Sequence, residues 1–247
     1  MPAVFVHGNP ESSAIWTELF SHLQRKDVVA LSPPGFGAPV PDGFTATSDA
    51  YRDWLVGELQ RIDGPVDLVG HDWGGGHVLR VAMERPDLIR SWTTDIAGAM
   101  EPDYEWHDLA KAWQTPAVGE AQLGLMVLAP TFMREAQFKS MGLGSAARAV
   151  AEAVNTDMAR CILALYRSAA QPAMRNWGAQ LEQAAARPGL VIAATNDSYV
   201  GGTARAQQAA ARAQARCVVL EGRGHWWMCE DPAGGARVLD EFFATLG

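Results

Sequence analysis

Cysteine, clustered basic residues and long apolar runs are what this chain has least of. Only three cysteines, Cys161, Cys217 and Cys229, are spread over 247 residues, with no C-x-x-C pair among them. That spacing excludes a disulfide framework or a zinc knuckle and predicts reduced, buried thiols in a cytoplasmic protein. Lysine and arginine (20) are outnumbered by aspartate and glutamate (28), for a formal charge of −8. With no Lys/Arg run to offset it, this balance argues against nucleic acid or an anionic membrane as a partner. No stretch approaches the roughly 20 apolar residues of a membrane span. The start of the chain lacks the basic residues and cleavage site of an export signal, because Ala3–Val6 runs straight into His7-Gly8. No metal-ligand cluster, phosphate loop or dinucleotide fingerprint is present, so neither metal nor cofactor is expected.

What is present has a clear rhythm. Hydrophobic residues make up 48% and charged residues 19%, which suits one globular α/β domain with an insertion. Short apolar runs bounded by Gly or Pro fall at Ala3–Val6, Val28–Leu31, Val66–Val69, Trp92–Ile96, Leu190–Ala194 and Cys217–Leu220. They alternate with helix-length amphipathic segments near 13–24, 48–62, 75–84, 203–214 and 232–245. Continuous apolar strands separated by helices predict a parallel sheet of about six strands, covered on both faces. Residues 98–185 break the rhythm with Ala-, Leu- and Met-rich helical stretches and no strand pattern. They read as a helical cap inserted into a core formed by residues 1–97 and 186–247. Trp106, Trp113, Phe132, Phe138 and Trp177 within the cap are expected to need burial.

The chemistry-bearing motif is Val69-Gly70-His71-Asp72-Trp73-Gly74-Gly75-Gly76, placed after a strand and before a helix. A G-x-Nuc-x-G turn there forces the central residue into a strained conformation, and the flanking glycines leave room for it. Serine usually occupies that position. Aspartate needs no base to remove a proton, and it would form an ester with an electrophilic carbon. Gly222-Arg223-Gly224-His225 follows the last apolar run, which places His225 above the same edge of the sheet. An acid should orient that imidazole. Asp197, just past the fifth strand, is favoured over Asp95 at the end of the fourth, and Glu230 and Asp231 read as helix-start residues. His7-Gly8-Asn9-Pro10 closes the first strand, where the backbone N–H of Asn9 can join that of Trp73 in an oxyanion hole. Pro10 can fix this turn through a cis bond.

Together, HGNP, the PGFG turn at 34–37, GHDWGG and the final GxGH resemble the epoxide hydrolase and haloalkane dehalogenase branch of the α/β-hydrolase family. The resemblance implies an α/β-hydrolase fold. It also implies hydrolysis of a small apolar organic substrate through an alkyl-enzyme ester on Asp72, with His225 activating the water. Family members begin with two further strands, absent ahead of this HG strand, so the Val28–Leu31 strand is left as a sheet edge. A loop or a second copy of the chain, as a homodimer, is expected to cover it. Epoxide hydrolases use two cap tyrosines, and Leu165-Tyr166-Arg167 is similar to the segment of the second. Tyr104 is nearest to the first and lies early. Dehalogenases bind halide between two N–H donors, which Asn9 and Trp73 resemble. The epoxide reading is preferred, with the dehalogenase second. A ligand-binding protein without catalysis is the alternative from another class.

Overall fold

A computed structural model describes residues 1–247. Six strands form one wholly parallel sheet: β1 (Ala3–Val6), β2 (Val28–Leu31), β3 (Val66–Gly70), β4 (Ile89–Thr94), β5 (Gly189–Ala194) and β6 (Arg216–Leu220). Their spatial order is β2-β1-β3-β4-β5-β6. The four central strands β1, β3, β4 and β5 are buried almost throughout, which is why β1 and β5 read as unbroken apolar runs, while β3 and β4 also carry buried polar residues such as Asp67 and Ser91. Only β4 departs from expectation by more than a residue at its start. It begins at Ile89 rather than Trp92 and ends at Thr94 rather than Ile96. Arg90 interrupts the apolar pattern, yet its guanidinium reaches the buried Asp67 carboxylate, so a charged residue is accommodated within a strand.

The core helices are α1 (Thr17–His22), α2 (Ser48–Leu59), α3 (Trp73–Glu84), α10 (Gly202–Arg212), the short α11 (Trp227–Glu230) and α12 (Pro232–Ala244). Residues 13–16 form a separate 3₁₀ turn ahead of α1. Asp231 caps α12 by accepting from the Gly234 N–H at 3.0 Å, with Pro232 at the first helical position. Glu230 instead accepts the Gly224 N–H at 2.8 Å, which pins the loop before His225. No helix is long and apolar enough to cross a membrane.

Residues 98–185 contain six α-helices and no strand: α4 (Asp108–Gln114), α5 (Val118–Leu128), α6 (Thr131–Met141), α7 (Ala147–Ala153), α8 (Thr156–Ser168) and α9 (Ala173–Gly178). Trp106, Trp113 and Phe138 are buried and Trp177 is half-buried, but Phe132 is 69% exposed, contrary to expectation. Phe132 sits at the start of α6, where Met133 is exposed as well. Arg134 of the same helix is buried instead and donates to the carbonyls of Val127, Ala129 and Ala151, joining the ends of α5 and α7 to α6. The cysteines are all free, as their spacing suggests, but only Cys161 is fully buried.

Strand β2 is an outer edge, and its central residues Val29 and Ala30 are exposed. The chain's own loops therefore do not cover it, contrary to one of the two coverings expected.

Candidate active site

Val6 pairs with Gly70 and Gly70 with Thr94, so β1, β3 and β4 end level with one another. The segments that follow them, carrying Asn9, Asp72 and Asp95, emerge together at the C-terminal edge of the sheet. The ends of β5 and β6 are likewise aligned, Ala194 with Leu220, and deliver Asp197 and His225 to the same edge. Parallel sheets bind ligands at this edge.

Asp72 occupies the bend between β3 and α3 with φ 49° and ψ −128°, a conformation rarely adopted by residues with a side chain. Close packing enforces it. A Cβ on Gly74 would meet the Val6 carbonyl oxygen at 2.2 Å, and one on Gly70 would meet Gly74 at 2.6 Å. Only glycine at both positions lets the elbow lie this tightly on β1.

The Asp72 carboxylate accepts the Asn9 backbone N–H at 3.0 Å through Oδ2. Its Oδ1 lies 3.7 Å from His225 Nε2. His225 Nδ1 is 2.7 Å from Asp197 Oδ2, and the other Asp197 oxygen accepts the Tyr199 N–H at 2.8 Å. Asp95 stands elsewhere: it accepts from the Asp72 N–H and from His71, and makes no contact with His225. Of the two acids weighed from the sequence, the structure brings Asp197 to the imidazole. The Asn9–Pro10 bond is cis.

Burial dominates the electrostatics of these groups. It lifts the Asp72 carboxyl, and nearby Glu11 adds to the effect. The positive histidines and the Asn9 N–H oppose it, leaving a pKa of about 6. The carboxylate is thus ionised at neutral pH, but with far less margin than the sequence alone implies. Burial works against charge on His225 as well, yet Asp197 outweighs it and raises the imidazole above its usual value. In Asp197 burial is outweighed by His225 and by the Tyr199 N–H, so its carboxyl lies below the usual range.

Tyr166, from α8, is buried over the elbow, its ring 5.3 Å from that of Trp73. Burial and the Asp72 charge hold its phenol well above the usual value, while the Trp73 and Asn9 side chains pull the other way. Both polar atoms of the Asn9 amide are buried without a hydrogen-bond partner. Two cavities, the larger lined by 16 residues and the smaller by 11, flank this point. The larger is mostly apolar, with Trp73, Ile96, Met100, Trp106, Met174 and Val200 among its walls. Asp72, Tyr166, His107 and Tyr199 border both.

His107 and Tyr199 are site residues that the sequence did not single out. His107 Nδ1 accepts the Ala110 N–H at 3.2 Å and caps α4. Burial, reinforced by His225, lowers its pKa to about 4, so it is a neutral donor through Nε2 at neutral pH. The one signal for Tyr199 was its place two residues after Asp197. Tyr104 lines the larger cavity, but its hydroxyl donates to the Tyr199 carbonyl at 2.8 Å.

Glu11, His71 and His225 bring ligand atoms within 4.8 Å of one another. Both His71 nitrogens face carboxylates and His225 Nδ1 is engaged by Asp197, so the donor set fits an ion-pair cluster rather than a metal ion.

Comparison with known proteins agrees with this architecture. Residues 3–238 match the model of the alpha/beta hydrolase family. A haloalkane dehalogenase structure from Bradyrhizobium elkani superposes with a TM-score of 0.76 over 99% of this chain and 90% of its own, at 22% identity. An epoxide hydrolase from Caballeronia sordidicola is 34% identical over 98 residues, 36% of this chain and 29% of that protein. The (E)-2-((N-methylformamido)methylene)succinate hydrolase of Acinetobacter baylyi is 28% identical over 91 residues, 36% of this chain and 35% of that protein. The matched segments thus span about a third of these curated relatives.

Proposed function

Because this chain belongs to the alpha/beta hydrolase family, we propose that it hydrolyses a small apolar substrate through an alkyl-enzyme ester on Asp72, and that this substrate is an epoxide opened to a vicinal diol. Asp72 attacks an electrophilic carbon lying in the cavity. The carbon–oxygen bond of the ring breaks, and the oxygen takes up the proton of the Tyr166 phenol. Esterification cancels the Asp72 charge. That removes one of the influences that raise His225, so more of the imidazole is neutral and free to accept a proton once the ester has formed. It then takes a proton from water, and the hydroxide attacks the ester carbonyl while Asp197 stabilises the resulting imidazolium. The tetrahedral intermediate collapses by breaking its bond to the diol oxygen, which takes the imidazolium proton as it leaves, and the proton of the regenerated Asp72 carboxyl restores the Tyr166 phenol. The Asn9 N–H, already on the Asp72 oxygen, steadies the negative charge of that intermediate.

One observation carries the preference for an epoxide. The buried Tyr166 phenol stands over the nucleophile, and burial and the Asp72 charge keep it protonated, so its proton is in place for the ring oxygen. The second reading, haloalkane dehalogenation, is favoured by the unpartnered Asn9 amide, a donor free to hold halide. A panel of epoxides and of chloro- and bromoalkanes tests the choice. His225→Gln should accumulate an ester on Asp72, seen as a mass increase on the intact protein. Absence of any adduct with a substrate that the wild type turns over would refute the ester mechanism.

A further inference from the structure

Beneath Asp72 and His225 lies a second charged cluster that the mechanism above does not use. His71, wholly buried, places Nδ1 2.5 Å from Asp95 Oδ2 and Nε2 3.0 Å from Glu11 Oε1. Each ring nitrogen faces a carboxylate oxygen, so each must carry hydrogen, and His71 is a buried cation. Glu11 is wholly buried too and Asp95 nearly so. Their remaining hydrogen bonds run to the segments that assemble the site. Glu11 accepts the Gly8 N–H at 3.1 Å and the Trp226 indole at 2.5 Å. Asp95 accepts the Asp72 N–H at 3.1 Å and the Trp227 indole at 2.8 Å. The two indoles directly follow His225 in the chain, and the His71 and His225 rings are 4.6 Å apart.

We propose that Glu11, His71 and Asp95 form a buried ionic cluster that ties the His225 loop to the elbow through the Trp226 and Trp227 indoles, making them positioning residues for the step in which His225 acts as a base. The inference rests on the proposed role of His225. Asp197 holds the ring through Nδ1, and the two indole bonds fix the backbone that carries it, so that Nε2 stays aimed at the Asp72 carbonyl. The cluster also acts through charge. The His71 cation opposes protonation of His225, whereas the Glu11 carboxylate favours it. The other ionisable groups facing His225 are Asp197, Asp72 and His107, and those facing His71 include His7.

The two charges give a test of sign that loss of packing alone cannot imitate. Titration of the His225 ring, followed by NMR of nitrogen-15-labelled histidine, needs no substrate. His71→Gln should raise the His225 midpoint by about one pH unit, and Glu11→Gln should lower it, as charges at this separation require. The double variant should return it near the wild-type value. Midpoints that stay put, or that move the same way in both single variants, would overturn the proposal. Should His71→Gln fail to fold, Glu11→Gln carries the test of sign, because Asp95 still neutralises His71. With a turned-over substrate, Trp227→Phe should slow ester hydrolysis about tenfold or more and change ester formation less than about threefold. Equal losses in both steps would refute positioning. If no substrate forms an ester, the function proposed above fails while the titration result stands.

Discussion

Replacing Asp72 by Asn should stabilise the protein at neutral and alkaline pH while abolishing turnover. Asn keeps the size of the side chain, can still accept the Asn9 N–H and tolerates a positive φ, so the main change is loss of charge. In the folded protein the carboxyl is lifted from 3.8 to about 6. A raised folded pKa means that the neutral form is favoured by folding. This contribution is present in full below the unfolded value near 4 and is lost as pH rises through about 6. Each tenfold weakening of the acid is worth about 1.36 kcal/mol. Ionisation of Asp72 therefore costs up to about 3 kcal/mol above pH 7, but only roughly 1 kcal/mol at pH 4.5. Solvent reaches 15% of the Asp72 side chain, and screening there lowers the first figure to between about 1 and 3 kcal/mol. For a chain of this size that corresponds to a gain of roughly 2–10 °C in Tm. Thermal melts of both proteins at pH 8 and pH 4.5, with mass spectrometry confirming that the amide is intact, measure it. A variant no more stable than wild type at pH 8, or a gain of equal size at both pH values, would refute the placement of a buried, reluctantly ionised carboxylate at the elbow.

Tyr166→Phe should slow epoxide opening by about 10²-fold or more and leave halide release nearly unchanged. Asn9→Leu should do the reverse if halide is the leaving group, and steady-state rates on both substrate classes decide between them. Single-turnover ester formation should fall as pH drops through about 6, because protonated Asp72 is a poor nucleophile. A rate flat down to pH 5 would contradict this. The open β2 edge leaves a second copy of the chain as its candidate cover, so sedimentation should show a dimer that Val29→Lys dissociates. A wild-type monomer at high concentration would dispose of that pairing.

The parallel sheet is legible in the chain alone, because strands buried on both faces are dominated by apolar residues, and β1 and β5 are apolar throughout. So is the elbow, since a nucleophile between Gly70 and Gly74 at a strand-to-helix junction carries its backbone requirement in its spelling. Chain order places His225 and Asp197 past the last two strands. Other features depend on which distant groups meet. Asp197 and Asp95 both end strands at the same edge, and it takes the packing of the strands to assign one to His225 and the other to His71. Phe132 reads like any buried aromatic, yet it stands exposed at the start of α6 while the neighbouring Arg134 is the residue turned inward. His107, within the helical insertion, and Tyr199, in the loop after β5, reach the site by packing rather than by spacing. The reluctance of Asp72 to ionise is likewise invisible in the chain. Desolvation belongs to the enclosing fold, and the buried Glu11 carboxylate adds to its effect across 61 residues of sequence.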